Sequence, residues 1–126
     1  MNSKITASFV VNSANQPITI QRKYTHFRIV LNVTDYPSGT YAVTYELHET
    51  FPNPIREVRS EPGREGFPLF IATYGDFNVY AEIRALNESY RISRLLSDAL
   101  RETYVQMPPE KLPSGILKAI DEIAKH

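Results

Sequence analysis

The chain has 126 residues, 42% of them hydrophobic, and its 14 basic side chains are matched by 14 acidic ones. That is the size of one ordinary domain built on one core, and balanced charge leaves no long-range field to draw in nucleic acid or an anionic membrane surface. The absence of cysteine excludes a disulfide framework and thiolate chemistry and fits a reducing compartment. The first residues mix Asn2, Ser3, Lys4, Asn12, Asn15 and Gln16 with short apolar runs, unlike a signal peptide, and no window nears the roughly eighteen apolar residues of a membrane span. A cytoplasmic protein is expected.

In chain order, Ile5 to Val11 and Ile18 to Gln21 are two short strand candidates. From Tyr24 the pattern has period two, with Phe27, Ile29, Leu31 and Val33 on one face and His26, Arg28, Val30 and Asn32 on the other. Pro37, Ser38 and Gly39 supply turn chemistry. Tyr41, Val43, Tyr45, Leu47, Glu49 and Phe51 then share one parity, so two antiparallel strands around a short turn are expected. The interval from Pro52 to Pro68 reads as loops around one short strand, Ile55 to Arg59. Phe77, Val79, Ala81, Ile83 and Ala85 alternate with Asn78, Tyr80, Glu82 and Arg84 as a strand with one wet face. Short strands with turn signals between them predict a mostly β antiparallel sandwich over residues 1–87.

The period changes after Asn87. Ile92, Leu95, Leu96, Ala99 and Leu100 fall on one helical face, predicting a helix from about Ser93 to Val105. Three prolines, Pro108, Pro109 and Pro113, interrupt that register. Ser114 is then placed to cap a terminal helix whose stripe is Ile116, Ile120 and Ile123. Residues 88–126 are thus expected to form a helical segment of the same domain, its stripes packed on the sandwich or presented to a partner.

Chemistry is sparse. His26, His48 and His126 have no second ligand at metal-binding spacing. His48 and Glu49 point to opposite faces of a strand, no serine sits in a nucleophile elbow, and the glycines are too scattered for a phosphate loop. The expectation is a chain that is not an enzyme and carries neither metal nor cofactor. Two polar-aromatic segments stand out instead: Leu47-His48-Glu49-Thr50-Phe51-Pro52-Asn53-Pro54, where a strand ends, and Tyr74-Gly75-Asp76-Phe77, just before another begins. Loops at one end of a sandwich are where binding residues gather. Two rings a few ångströms apart would hold a flat amide, with hydrogen bonds from the Thr50 hydroxyl and from N–H groups around Gly75. The same residues also suit plain rim and core aromatics, with His48 satisfying Thr50.

These segments, in this order and with Tyr24-Thr25-His26 ahead of them, resemble the YEATS domain family, and in particular its prokaryotic branch, over roughly Tyr24 to Leu86. The resemblance implies an immunoglobulin-like β-sandwich followed by one or two C-terminal helices. It implies a reader of acylated lysine in which Phe51 and Tyr74 sandwich the acyl amide, Tyr24 forms an outer wall and Thr50 is oriented by His48. Tyr74 and Gly75 would offer N–H groups to the acyl carbonyl. Thr73 stands where several readers have glycine, and a side chain there narrows the slot. Family members usually carry a tryptophan after the Thr-His element, whereas this chain has Phe27. The other functional class is an interaction sandwich with a vestigial pocket, meeting a signalling partner through its terminal helices or a sheet edge.

Overall fold

Period-two patterning becomes eight strands in the computed structural model, which describes residues 2–126. In chain order they are β1 (Lys4–Phe9), β2 (Thr19–Gln21), β3 (Thr25–Thr34), β4 (Thr40–Glu46), β5 (Ile55–Arg59), β6 (Leu69–Thr73), β7 (Asn78–Ala85) and β8 (Glu88–Leu95). Helix α1 (Leu96–Val105), a short 3₁₀ turn (Pro109–Lys111) and helix α2 (Ile116–Ala124) follow. One sheet places β3 between β6 on one side and β1 with β2 on the other; the second runs β5-β4-β7-β8, and every pairing is antiparallel. Phe27, Ile29, Leu31 and Val33 of the first sheet face Val43, Tyr45, Val79, Ala81 and Ile83 of the second, all buried. Each large side chain so buried contributes about 1.5–3 kcal/mol.

Three expectations are corrected. Strands β3 and β4 lie in opposite sheets and do not pair. Strand β3 keeps the predicted parity and β4 keeps it from Val43 onward, a register irregularity between Thr40 and Ala42 exposing Tyr41 and burying Ala42; parity alone does not distinguish a hairpin from a crossing between sheets. Asp35, at φ 56°, starts the link, and Tyr36 is drawn inward against Phe67, ring centroids 5.1 Å apart, at the mouth between the sheets. The second correction concerns Glu88–Leu95, which is a strand paired residue for residue with β7 from Ala85↔Glu88 to Asn78↔Leu95, so the helical segment begins at Leu96 rather than at residue 88 or 93. The connecting Leu86-Asn87 turn lacks positive φ at either residue, and with it the glycine signature that usually announces a two-residue hairpin. Third, Ser114 does not cap α2. Gly115 occupies that position in left-handed conformation at φ 75°, while the Ser114 N–H donates to the Asn15 carbonyl at 3.1 Å. Strand β6 was not among the sequence-derived strands.

Both helical stripes are spent in the core: Leu96, Ala99, Leu100 and Tyr104 from α1, and Ile116, Ala119, Ile120 and Ile123 from α2. Helix α1 also closes the outer edge of β1. The Thr103 hydroxyl donates to the Ala7 carbonyl (2.6 Å), the Phe9 N–H donates to the Tyr104 hydroxyl (2.8 Å), and Arg94 of β8 donates to the Ile5 carbonyl (2.9 Å). An unpaired strand edge invites foreign pairing, and here side chains stand in for the missing strand. Tyr104→Phe strands the buried Phe9 N–H at a cost of about 1–3 kcal/mol, to be read as a lower denaturation midpoint with an unchanged m-value. No loss of midpoint would show that the edge needs no cap.

Lys4 and Arg94 converge on Glu102, Arg94 at 2.7 Å. The hydrogen bond from Lys4, then that from Arg94, holds its carboxyl below the usual carboxylate range. Folding lowers this pKa, so the unfolded chain takes up the proton more readily. The associated stability is complete above the unfolded value of about 4.3 and is lost as pH falls through the folded one. The gap in Tm between wild type and Glu102→Gln should therefore shrink between neutral and acid pH. A pH-independent gap would contradict this linkage.

Candidate functional site

Strand β4 ends at Glu46, five residues before the parity pattern suggested, so His48, Thr50 and Phe51 belong to the loop into β5. The loop is tied at its base by the Leu47 N–H to the Pro54 carbonyl (2.8 Å) and turned by the Phe51 N–H to the His48 carbonyl (3.0 Å). The Arg56 guanidinium pins its far side through the Pro52 and Asn53 carbonyls at 2.9 and 3.1 Å. Within it, His48 Nδ1 lies 2.9 Å from Thr50 Oγ1 and accepts the Thr50 N–H at 3.3 Å. Since Nδ1 accepts the backbone N–H, it also accepts the hydroxyl proton, which leaves the Oγ1 lone pairs free to receive a donor.

The second loop joins β6 to β7 and so crosses between the sheets. Buried Thr73 shapes it, its hydroxyl donating to the Gly75 carbonyl (3.0 Å) and receiving the Gly75 N–H (3.3 Å). The Gly75 N–H, expected to face a ligand, is therefore already engaged. Gly75 lies close to the chain end: a Cβ there would sit 3.3 Å from the His126 backbone, a tight contact that would press the chain end outward by a few tenths of an ångström. Next in the loop, Asp76 Oδ1 accepts the N–H of Phe77 (3.1 Å) and of Ser97 (2.9 Å), and the Phe77 carbonyl accepts the Leu96 N–H (3.0 Å). The first two N–H groups of α1 are thus capped from the site loop, an acceptable substitute for a local cap. No neighbouring residue signals this in the sequence, since the cap lies twenty-one positions upstream of Ser97.

These loops meet. A cleft of about 150 Å³ is lined by His48, Thr50, Phe51, Thr73, Tyr74 and Gly75, that is, by every predicted site residue except Tyr24. His126, one residue past the C-cap of α2, also lines it, and sequence reasoning had no signal for that. Each of the two rings rests on another aromatic side chain. Phe51 leans on buried Phe77 at 5.2 Å. Tyr74 stacks on Tyr24, centroids 4.7 Å apart and 16° from parallel, with His26 edge-on at 5.1 Å. Tyr24 is thus the direct support of Tyr74 and lies outside the cleft lining. The Tyr74 N–H has no hydrogen-bond partner among the described residues. A more open depression of about 470 Å³, bordered by Glu46, Glu49, Ile55 and Tyr80, shares His48, Asp76 and Phe77 with the cleft. No group of three or more potential metal-ligating residues occurs among the described residues, and no described helix is long and apolar enough to cross a membrane.

The family model described as the prokaryotic YEATS domain matches residues 26–97. Among solved structures, the yeast AF-9 homolog protein Yaf9 is similar with a TM-score of 0.52 at 18% identity, over 94% of this chain and 82% of that one. The Yaf9 YEATS domain recognizing an H3K122suc peptide gives 0.50 at 20% identity, over 73% of this chain and 67% of that one. No curated protein matches. At these identities the likeness is one of fold, the antiparallel sandwich expected from the strand pattern and, in its immunoglobulin-like form, implied by the resemblance.

Proposed function

Because the chain belongs to the prokaryotic YEATS domain family, we propose that it is a non-catalytic, cytoplasmic reader whose cleft takes the acylated side chain of a lysine. The observation that carries this reading is the convergence of the His48-Thr50-Phe51 loop and the Thr73-Tyr74-Gly75 loop on one small aromatic cleft. An acyl amide is flat and uncharged, so it stacks against rings and needs one donor and one acceptor. Thr50 Oγ1, its own proton held by His48, accepts the amide N–H. The Tyr74 N–H donates to the acyl carbonyl. Thr73 and Gly75 fix the loop rather than bind, and Tyr24 holds the Tyr74 ring in place. The likeness to a YEATS domain that recognizes an H3K122suc peptide points the same way. YEATS domains are reader modules, which supports the non-catalytic reading.

Acetyl-lysine and crotonyl-lysine peptides titrated against ¹⁵N-labelled protein should shift the Tyr74 and Thr50 amides in a saturable way. Unmodified peptide should not. Flat titrations with every acylated peptide would end this reading. The alternative, an interaction sandwich that meets a signalling partner through its terminal helices or a sheet edge, draws less support from the helices, since their apolar stripes are buried.

A further inference from the structure

The four lateral edges of this sandwich are not equally protected. On one side β1 is closed by Arg94, Thr103 and Tyr104, β2 has three residues and β8 carries Glu88, Arg91 and Arg94. Across the sandwich β5 carries Arg56, Glu57 and Arg59, with Arg64 capping the Arg59 carbonyl. Strand β6, Leu-Phe-Ile-Ala-Thr, has no charge and no proline, and among the described residues it pairs only with β3. Charges and prolines are how folds blunt an edge, and β6 itself carries neither.

Its free groups follow from the register. Arg28 directs its N–H to the Ile18 carbonyl and its carbonyl to the Val10 N–H, both 3.0 Å and both on the β1/β2 side. Backbone groups alternate sides along a strand, so Phe27, Ile29 and Leu31 bond to their β6 partners Thr73, Ile71 and Leu69. Phe70 and Ala72 consequently aim their N–H and C=O groups at the open edge. On the outer face of this sheet, spanning β3, is a concavity of about 450 Å³ whose lining includes Val10, Ile20, Arg28, Arg56, Phe70 and Ala72. Phe70 is 65% exposed, and Arg28 makes no ion pair among the described residues. The strand ends at Thr73, on the wall of the acyl cleft.

Resting on the reader assignment above, we infer that the peptide carrying the acyl-lysine adds to β6 as an antiparallel strand, with an acidic residue directly after the lysine and an apolar residue two positions later. The acyl-lysine lies opposite Thr73, whose inward side chain sets the direction into the cleft. The next residue exchanges both backbone hydrogen bonds with Ala72 on the outer face. Arg28 is the register partner of Ala72, and the small methyl leaves a carboxylate open passage to the guanidinium. The third residue after the lysine exchanges bonds with Phe70 and packs on its ring beside Val30.

Two probes test this: a capped single acetyl-lysine, and a peptide in which acetyl-lysine is followed by Glu, Thr and Val. Wild type should bind the peptide about tenfold more tightly, the effect of several edge hydrogen bonds. Ala72→Pro removes an outward N–H without touching the β3 ladder. It should bring the peptide to about the level of the capped residue and leave the capped residue unchanged. N-methylating the residue after the acetyl-lysine should do the same to wild type, with no risk to folding. Placing lysine at that position should weaken binding about threefold, and Arg28→Glu should invert the preference. Equal peptide binding by wild type, Ala72→Pro and the N-methylated ligand, with the capped residue still bound, would overturn strand addition and leave the reader assignment standing. Failure of both probes would overturn the reader assignment and strand addition together. A wild-type dimer that Ala72→Pro dissociates would give the edge to a second copy and overturn the peptide.

Discussion

Tyr74→Ala and Phe51→Ala should each weaken acyl-lysine peptide binding by about thirtyfold or more, the roughly 2 kcal/mol carried by an aromatic anchor at the centre of a site. Both variants should remain folded. Tyr74 is 41% exposed, and Phe51 is only packed against the core rather than part of it. The two losses arise differently. Phe51 rests on Phe77, so its truncation removes one wall of the cleft and leaves the opposite loop unmoved. Tyr74 is stacked on Tyr24, so its truncation also frees Tyr24, and Tyr24→Ala should give a smaller loss by letting the Tyr74 ring tilt. Thr50→Val, which keeps the shape and removes the acceptor, should lose about tenfold because the amide N–H is left unpaired. Calorimetric titration of the four variants alongside wild type decides the matter. Unchanged affinity in Phe51→Ala and Tyr74→Ala, with native circular dichroism, would remove the cleft from any account of binding.

The order of these effects reflects what was legible in the sequence. Parity along β3, β7 and β4 from Val43 onward set the buried faces correctly because a half-buried strand must alternate, and it failed at Tyr41 and Ala42, where the β4 register is irregular. Parity carries no information about which sheet a strand joins, which is why the β3–β4 crossing was missed. Along β8, Ile92 and Leu95 fit a helical stripe with Leu96, Ala99 and Leu100, yet Tyr90 and Ile92 also fit the inward parity of a strand, and pairing with β7 decided between them. Local signals failed where the partner is distant in sequence. Helix α1 takes its N-terminal acceptors from Asp76 and Phe77, and the Phe67 carbonyl receives the Tyr45 hydroxyl at 2.6 Å across twenty-two positions. At the site, the convergence of the two loops on one cleft was readable because both follow strands at one end of the sandwich. The engagement of the Gly75 N–H by Thr73 was not, because a hydroxyl that folds back on its own turn is a matter of rotamer rather than of spacing.

Ile123→Ala should cost about 2–5 kcal/mol of stability, or roughly 10 °C in Tm for a domain of this size, whereas Leu117→Ala on the same helix should change it by less than about 0.5 kcal/mol. Ile123 is fully buried, together with Ile116 and Ile120, while Leu117 is 60% exposed. A helix of nine residues has little stability of its own, so α2 persists by burying that stripe. The consequence reaches the site, because His126 follows α2 and its backbone lies against Gly75. Loosening α2 should therefore raise amide exchange at Gly75 and Asp76 as well as along the helix, even where the global fold persists. Deleting residues 114–126 would expose the core under α1 and mimic the loss of a partner surface. The Ile123→Ala and Leu117→Ala pair separates the two: a partner that reads α2 loses affinity with Leu117→Ala at unchanged Tm, and a helix that only completes the core loses Tm with Ile123→Ala alone.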